Sequence, residues 1–453
     1  MSDTKLDEYD MDLWLRCCEE ETADPVQGIV TGTVPSWLKG SLYRNGPGTI
    51  KMGTSEFQHV FDGSALIHRF SIKDGSVTYQ CRFLNTETLR KNKQANRIVV
   101  NEFATKAVPD PCHTIFERIS SMFKFERSIT DNAGVSVHPF GDQIYAMTEV
   151  PTMYRIDKES LETLDKKSLL DALIVCHTAH PHVMSNGDVY NVGLQVIKGM
   201  PKHVIVKFPF SEKEDMFDTA EVINVIEPKW RFNPAYMHSF GISEHYFIII
   251  EQPLAISLLF FLRNVITSDP FSSCITWYPE YETHIILVHR ETGEQTRYRT
   301  DTFFFMHLIN SYEKDNKLFI DVCTYNDGKI IDAMYVAAIK NSKNIPDYGQ
   351  WHYTRPKRIE IPLDAPPDTK VPINLIADVG IEAPRINYEV HNGRPYKYFY
   401  GIGSEIASEY AASIIKIDTQ SGEVKTWREV GCYPSEPIFV AHPDAKVPFK
   451  FIY

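Results

Sequence analysis

The stretch Ile156-Asp-Lys-Glu-Ser-Leu-Glu162 has the pattern of a tight β-hairpin: an apolar strand end, a polar turn and a glutamate that opens the next strand. The pattern returns in Val288-His-Arg-Glu-Thr-Gly-Glu294 and Ile417-Asp-Thr-Gln-Ser-Gly-Glu423. The second copy starts 132 residues after the first, and the third starts 129 residues after the second. Two units of about 65 residues fit each interval, and a seventh of the chain has the same length. Such hairpins occur in any β protein, so the spacing carries the prediction. It predicts an all-β, seven-bladed β-propeller, as a single domain over residues 1–453.

Strand signals dominate the rest of the chain. Short β-branched and aromatic runs alternate with Gly, Asn or Asp turns, and 12% of the residues are aromatic. A short helical segment is predicted at residues 11–18 near the start, and no Gly/Ser linker divides the chain. The clearest predicted strands are residues 97–103, 143–149, 245–251 and 317–323.

Charge and cysteine content exclude several classes of protein. The formal net charge is −12, which argues against a nucleic-acid partner. Eight cysteines without a CxxC pair indicate neither a zinc knuckle nor a disulfide framework. The polar start is unlike a signal peptide, and the longest apolar run, residues 255–262, is too short to span a bilayer. These features predict a reducing, cytoplasmic location.

Histidines recur at nearly the blade spacing. Cys176-His-Thr-Ala-His-Pro-His182 carries three of them, His238 follows His180 by 58 residues, and His307 follows after 69 more. A single histidine near a strand end is more often a packed or surface residue than a ligand. One histidine per blade, however, would converge near a propeller axis. Imidazole donors favour iron, copper or zinc over magnesium or calcium.

Metal-bound histidines normally donate their second ring N–H to a carboxylate or a carbonyl. Three glutamates in strand-like contexts are available for this role: Glu149, Glu382 and Glu436. Taken singly, each is more readily explained as a solvated or salt-bridged residue, so only the ensemble points to a metal site.

Several motifs together resemble the carotenoid cleavage oxygenase family, in order from about residue 30 to 445. Pro109-Asp-Pro-Cys112 and Phe61-Asp-Gly63 are similar to its animal branch, which includes the retinyl ester isomerohydrolase of the visual cycle. The motifs are Gly40-Ser-Leu-Tyr-Arg-Asn-Gly-Pro-Gly48, His59-Val-Phe-Asp-Gly-Ser-Ala-Leu-Ile-His68, Thr178-Ala-His-Pro-His182, Tyr236-Met-His-Ser-Phe-Gly241, His307-Leu-Ile-Asn-Ser-Tyr-Glu313 and Tyr433-Pro-Ser-Glu-Pro437.

The resemblance implies a seven-bladed propeller, with short helices and loops capping one face and Fe(II) on the axis. In the family, four histidines hold the iron and O₂ splits a carotenoid double bond into two carbonyl products. Three of the ligands carry over to His180, His238 and His307, while His177 and His182 are interpreted as neighbours. The carboxylates behind the ligands carry over to Glu149, Glu382 and Glu436. Phe103 and Thr148 match cavity positions near the metal, although plain core packing explains Phe103 equally well.

The fourth histidine of the family has no match. It should lie in a segment resembling Pro-Phe-x-Phe-His-Gly, and here Pro448-Phe-Lys-Phe-Ile452 places isoleucine at that position. We therefore expect an incomplete last blade, a C-terminal segment truncated or altered after about residue 445, and poor activity of this form. His442 is interpreted as a surface loop residue.

The expected substrate is almost insoluble in water, so its enzyme should collect it from a bilayer. Ile115, Ile119, Met122 and Phe123 would lie on one helix face, and residues 255–262 add a second apolar stretch. Cys112 matches a palmitoylation candidate of the visual-cycle relative. Alternatively, the stripe faces the core and Cys112 is an ordinary thiol. The first interpretation predicts peripheral association with an intracellular membrane.

Two classes of function remain open at this point. The first is an iron dioxygenase that cleaves a carotenoid to retinal-type aldehydes, with or without coupled cis/trans isomerisation; a related retinoid isomerase acting on an ester is its variant. The second is a truncated isoform that binds carotenoid or retinoid without turnover.

Overall fold

A computed structural model describes residues 9–108, 130–169 and 174–444, which form a β-propeller of six antiparallel sheets. In blades 2 to 6 the strand nearest the axis comes first in the sequence and the outermost strand comes last. Blade 1 instead takes its outermost strand from the leader before residue 40. The six sheets follow one another along the chain.

Blades 1 to 3 occupy the first half of the chain. Blade 1 contains β1 (Val26–Gln27), β2 (Gly40–Thr49), β5 (Ser64–Lys73) and β6 (Ser76–Phe83), and a small hairpin of β3 (Lys51–Met52) and β4 (Ser55–Glu56) lies beside it. Blade 2 contains β7 (Ser136–Phe140), β8 (Gln143–Met147), β9 (Thr152–Ile156) and β10 (Thr163–Ser168). Blade 3 contains β11 (Ile174–His177), β12 (His182–Val183), β13 (Val189–Ile197), β14 (Met200–Phe208) and β15 (Glu221–Ile226).

Blades 4 to 6 follow. Blade 4 contains β16 (Gly241–Ile242), β17 (Tyr246–Glu251), β20 (Thr283–His289) and β21 (Gln295–Thr300), with an inserted hairpin of β18 (Leu254–Ile256) and β19 (Ile275–Trp277). Blade 5 contains β22 (Phe304–Lys314), β23 (Lys317–Tyr325), β24 (Thr354–Pro362) and β25 (Ile373–Leu375). Blade 6 contains β26 (Ile381–Arg385), β27 (Tyr398–Gly403), β28 (Ile414–Asp418) and β29 (Val424–Trp427).

The repeated hairpin that predicted the propeller is confirmed. Its three copies join the third and fourth strands of blades 2, 4 and 6, so each sequence interval spans two blades. The fifth residue after the start of each copy is left-handed: Leu161 at φ 60°, Gly293 at φ 72° and Gly422 at φ 72°. Glycine adopts this conformation without a Cβ clash. The three turns are therefore equivalent in conformation as well as in sequence.

Central strands are buried on both faces because blades pack face to face. In β17, Ile248 and Ile250 lie in one hydrophobic cluster with blade 5. Phe247 and Ile249 alternate with them and lie in a second cluster with blade 3. Side chains alternate across a strand, so a strand between two neighbours is apolar at every position. This explains the continuous apolar run that predicted the strand.

The prediction of seven blades is wrong for the described part of the chain. After β29, residues 428–444 contain no strand and lie against blades 1 and 6. Arg44 of β2 donates to the backbone oxygen of Glu436 at 2.5 Å, and Arg385 of β26 pairs with the carboxylate of Glu436. Pro434 and Pro437 lack the N–H that a strand ladder needs. Dividing the whole length by seven also counted the leader and the cap insertions as blade residues.

The predicted strand at residues 97–103 is also wrong. Side chains and loop carbonyls take the backbone N–H groups there: Asn92 Oδ1 accepts from Val99, and the carbonyl of Thr105 accepts from Glu102. By contrast, the predicted helical segment near the start is confirmed as a 3₁₀ helix at Met11–Leu15. The apolar run at residues 255–262 divides between β18 and a helix.

Short helices and loops form a cap over blades 4 and 5. Within the cap, Ile256, Cys274, Ile330 and Tyr348 share one hydrophobic cluster with Phe304 of β22. The α-helices of the described residues are α1 (Glu87–Ala95), which packs on blade 1, α2 (Leu258–Thr267), α3 (Lys329–Ala333), α4 (Val336–Lys340) and α5 (Tyr388–His391), which packs on blade 6. There are also 3₁₀ turns at Val60–Asp62, Phe271–Cys274, Ser342–Asn344 and Tyr348–His352.

Candidate metal centre

Three successive blades each direct one histidine toward the axis. His180 lies in the link between β11 and β12, and His238 lies just before β16. His307 lies within β22, where the register with β23 shifts between Phe305 and Leu308. Such an irregularity re-aims a side chain out of the normal alternation. The three residues therefore meet although they come from separate sheets.

The three imidazoles face one another through their Nε2 atoms. The Nε2 of His238 lies 3.0 Å from the Nε2 of His180 and 3.2 Å from the Nε2 of His307. All three donor atoms lie within 4.8 Å of one another. Three nitrogens at about 2.1 Å from one ion would be about 3.0 Å apart at right angles and about 3.4 Å apart at tetrahedral angles. The two measured separations lie in this range, so His238 could share one ion with His180 and with His307.

Two carboxylates hold the opposite ring nitrogens. His238 Nδ1 contacts Glu149 Oε1 at 2.5 Å, and His307 Nδ1 contacts Glu382 Oε2 at 2.6 Å. An ionised carboxylate only accepts, so each Nδ1 carries the proton. In a neutral imidazole the Nε2 then presents a lone pair.

Those tautomers make the cluster a fit for a cation. When both imidazoles are neutral with the proton on Nδ1, the Nε2 lone pairs of His238 and His307 face each other at 3.2 Å and repel. A positive ion at their meeting point removes that repulsion, and a ring N–H bound to a carboxylate is the usual arrangement behind a metal-bound imidazole. The donor set therefore fits a transition metal such as iron.

Electrostatics differ among the three histidines. Burial, together with the neighbouring imidazoles, holds the pKa of His180 well below its usual value. Burial also opposes a charge on His307, but the nearby Glu382 outweighs it and raises the pKa of His307. His180 is therefore a neutral donor near neutral pH.

Glu436 lies in a different environment from the other two glutamates. Its carboxylate pairs with Arg385 Nε at 2.8 Å. Burial alone would raise the pKa of Glu436, but the guanidinium of Arg385 lowers it overall. The structure thus places Glu436 in an arginine pair rather than against one of the three histidines.

Sequence reasoning missed two tyrosines at the site. The Tyr236 hydroxyl donates to Glu149 Oε1 at 2.8 Å, and burial and the charge of Glu149 raise the pKa of Tyr236 well above its usual value. Burial and the charge of Glu382 likewise raise the pKa of Tyr325. Tyr236 precedes His238 by two positions, so strand alternation was a signal that could have found it.

The other histidines of the motif make separate contacts. His177 is buried and its Nδ1 lies 2.8 Å from the carbonyl of Thr178. His182 contacts the hydroxyl of Tyr388 at 2.8 Å and the carbonyl of Phe240 at 3.1 Å. Both are neighbours of the three-histidine group and not members of it.

The predicted cavity residues occupy two places. Phe103 is half-buried. The centroid of its ring lies 5.1 Å from that of His59, 5.5 Å from that of Phe61 and 6.3 Å from that of Phe271. Thr148 is half-buried directly before Glu149. Cys112 and the predicted helix face at residues 115–123 lie outside the described residues.

Residues 15–447 match the protein family described as RPE65, retinal pigment epithelial membrane protein. The chain belongs to the RPE65/carotenoid oxygenase family. This RPE65-family chain is 53% identical to the carotenoid isomerooxygenase of Galleria mellonella, over 96% of the chain and 85% of that protein. It is 37% identical to the carotenoid isomerooxygenase of Drosophila melanogaster, over 96% of the chain and 84% of that protein. It is 34% identical to the human beta,beta-carotene 15,15'-dioxygenase, over 96% of the chain and 85% of that protein.

Solved structures support the fold of this RPE65-family chain. A single-residue variant of the Synechocystis ACO superposes with a TM-score of 0.78 at 21% identity, covering 97% of the chain and 89% of that structure. An ACO/RPE65 chimera superposes with a TM-score of 0.75 at 22% identity, covering 97% and 88%. At these identities the likeness concerns the propeller fold alone.

Proposed function

We propose that this chain is an iron-dependent oxygenase that cleaves a double bond of a carotenoid with O₂, giving retinal-type aldehydes with or without coupled cis/trans isomerisation. The observation that carries the proposal is the facing of three imidazole Nε2 atoms, two of them backed by carboxylates. Membership of the family and the carotenoid-cleaving relatives support the choice of substrate.

His180, His238 and His307 would hold Fe(II), and when bound it would supply the redox chemistry that activates O₂. Glu149 and Glu382 keep the proton of their histidine on Nδ1, so the Nε2 lone pair stays directed at the metal position. Neutral imidazoles would leave the positive charge of the ion uncompensated. The negative charges of these two carboxylates, each on the far side of one imidazole ring, would partly compensate it.

Product analysis tests the proposal. The purified chain, loaded with Fe(II), is incubated in air with β-carotene or zeaxanthin, and the products are separated by chromatography. We expect aldehydes of retinal type, and no aldehydes in an oxygen-free control. Iron-loaded protein that forms no aldehyde from either substrate would contradict the proposal.

The hydrogen bond from His238 to Glu149 gives a specific prediction. Glu149→Gln keeps an oxygen that can accept from Nδ1 but removes the charge, so metal affinity is expected to fall by roughly 10–100-fold. Metal content after dialysis against graded Co(II) or Fe(II) measures the change. Glu313→Gln is a matched control, since Glu313 makes the same contact with the surface residue His245 at 2.8 Å. Equal affinity of the two variants would refute the role of Glu149.

We also propose that the protein docks peripherally on an intracellular membrane, on its cytoplasmic side. Helix α2 exposes Leu259, Leu262 and Ile266, three and seven residues apart, on one face. Phe232 is also exposed, and its carbonyl accepts from the first residue of α2. In the described ranges, no helix combines the length and apolar character needed to cross a bilayer.

Liposome flotation tests membrane docking. Leu262→Asp is expected to reduce the bound fraction by roughly tenfold or more, because it places a charge on the exposed apolar surface that would enter the membrane. Leu375→Asp is the control: Leu375 is similarly exposed, at 52% against 56%, but lies on the outer strand of blade 5. Unchanged flotation of Leu262→Asp would remove α2 from the docking surface.

A further inference from the structure

The leader, residues 9–27, is fastened along blade 1. Cys18 N donates to the carbonyl of Gly48 at 2.6 Å, and the carbonyl of Thr22 accepts from Cys81 N at 2.9 Å. Strand β1 then completes the sheet by pairing with β6. At its other end the leader packs against the cap and residues 428–444. The Trp14 ring contacts the ring of His352, and the Tyr9 ring contacts the ring of Tyr433. It therefore connects blade 1 with the cap and with residues 428–444.

Two cysteines share one hydrophobic cluster where the leader joins blade 1. Cys81 of β6 is buried in a hydrophobic cluster, and the half-buried Cys18 packs against that cluster. The Cys18 thiol donates to the carbonyl of Glu20 at 3.1 Å, within the segment that leads to Thr22. The backbone N–H of Thr22 also donates to Cys81 Sγ at 3.4 Å. The backbone hydrogen bonds from Cys18 to Gly48 and from Cys81 to Thr22 thus hold both cysteines in this cluster.

We propose that Cys18 and Cys81 form a reversible disulfide under oxidising conditions and that this bond locks the leader onto blade 1. The oxidant is a hydroperoxide. With hydrogen peroxide, the half-exposed Cys18 takes up one oxygen atom as a sulfenic acid and the other oxygen leaves as water. Cys81 sulfur then attacks Cys18 sulfur, and the sulfenic oxygen leaves as a second water. Two S–H bonds are lost and one S–S bond is formed.

The surroundings of the pair keep it reduced in the ordinary state. Burial, and then the neighbouring Cys81, raise the pKa of Cys18 to about 11. A thiolate is the nucleophile in these reactions, so oxidation is slow at neutral pH and becomes faster as the pH rises toward that value. The bridge therefore requires a strong oxidant and does not conflict with a reducing compartment.

The bridge would change the stability of the leader more than its structure. Cys18 and Cys81 are distant in the sequence, so a bond between them restricts the unfolded chain and raises the midpoint temperature of unfolding. Limited proteolysis of residues 9–27 should slow at the same time.

Peptide mapping of the full chain tests the proposal. The protein is treated with hydrogen peroxide at pH 7 and pH 9 and digested without reduction. A peptide pair joining Cys18 to Cys81, lighter by two hydrogen atoms, is expected, forming faster at pH 9 and disappearing with dithiothreitol. Cys18→Ser should abolish the pair and its thermal shift. Cys17→Ser is the matched control and should retain both, since Cys17 Sγ contacts the carbonyl of Leu15.

Three results would overturn the proposal. One is a folded, oxidised wild-type chain in which both thiols remain free to alkylate. Another is a bridge of Cys18 with Cys17 or with Cys432. The third is a thermal shift on oxidation that persists in Cys18→Ser. None of these measurements depends on metal or on catalysis, so the proposal can fail while the oxygenase function stands.

Discussion

His238→Ala is expected to lose bound metal and carotenoid cleavage together. Among the three donors, the Nε2 of His238 lies within 3.2 Å of both others and so completes the metal position. The remaining pair, His180 and His307, has ring centroids 5.0 Å apart. Removing the imidazole also leaves Glu149 without its ring N–H partner. Because loss of a residue that only orients a ligand weakens metal affinity roughly 10–100-fold, loss of the ligand itself should exceed about 100-fold.

Metal content and product formation are measured on the same preparation of His238→Ala. His245→Gln is the control, because His245 is an exposed histidine whose carboxylate contact, with Glu313, lies on the surface. Circular dichroism must show that both variants are folded. A folded His238→Ala protein that binds metal as tightly as the wild type would refute the assignment of this site.

Arg358→Met is expected to destabilise the fold by about 3–5 kcal/mol. Arg358 of β24 lies opposite Asp321 of β23 in the ladder and donates to both of its carboxylate oxygens, at 2.7 and 2.8 Å. Asp321 is fully buried and also accepts from the Tyr396 hydroxyl at 2.6 Å. Methionine would leave a buried carboxylate without its cation. Since Tyr396 leads into blade 6, the change should also loosen the packing of blade 5 on blade 6.

Urea unfolding followed by circular dichroism measures that loss. The exposed pair of Lys317 and Glu360 on the same sheet gives the comparison, and Lys317→Met should cost less than about 1 kcal/mol. The double variant Asp321→Asn, Arg358→Met should recover part of the stability, because it removes the buried charge as well. A cost for Arg358→Met as small as that for Lys317→Met would contradict the role of the pair.

Local sequence patterns predicted the sheets, because turn residues and apolar runs within a few positions of each other determine where strands begin and end. The hairpins at residues 156–162, 288–294 and 417–423 identified equivalent positions in blades 2, 4 and 6. The apolar run in β17 predicted a strand buried on both faces. The histidine spacing followed from the same repeat, since blades 3 to 5 each contribute one residue at nearly the same position.

Long-range contacts could not be predicted in the same way. The number of blades depends on how residues 428–444 pack between blades 6 and 1, which no local pattern specifies. The loop at residues 97–103 has strand-like composition, but Asn92 satisfies the backbone of Val99. Glu436 pairs with Arg385, and that pairing depends on two segments meeting in space.

The origin of the candidate metal centre in several sheets restricts when it can be assembled during synthesis. The donors and their supporting carboxylates extend from Glu149 to Glu382. A ribosome-bound chain therefore cannot present the whole arrangement until the innermost strand of blade 6 has left the exit tunnel. The three donors themselves are complete earlier, once blade 5 with His307 has been synthesised. The order of synthesis thus makes the supporting carboxylate of His307 the last part of the centre to arrive.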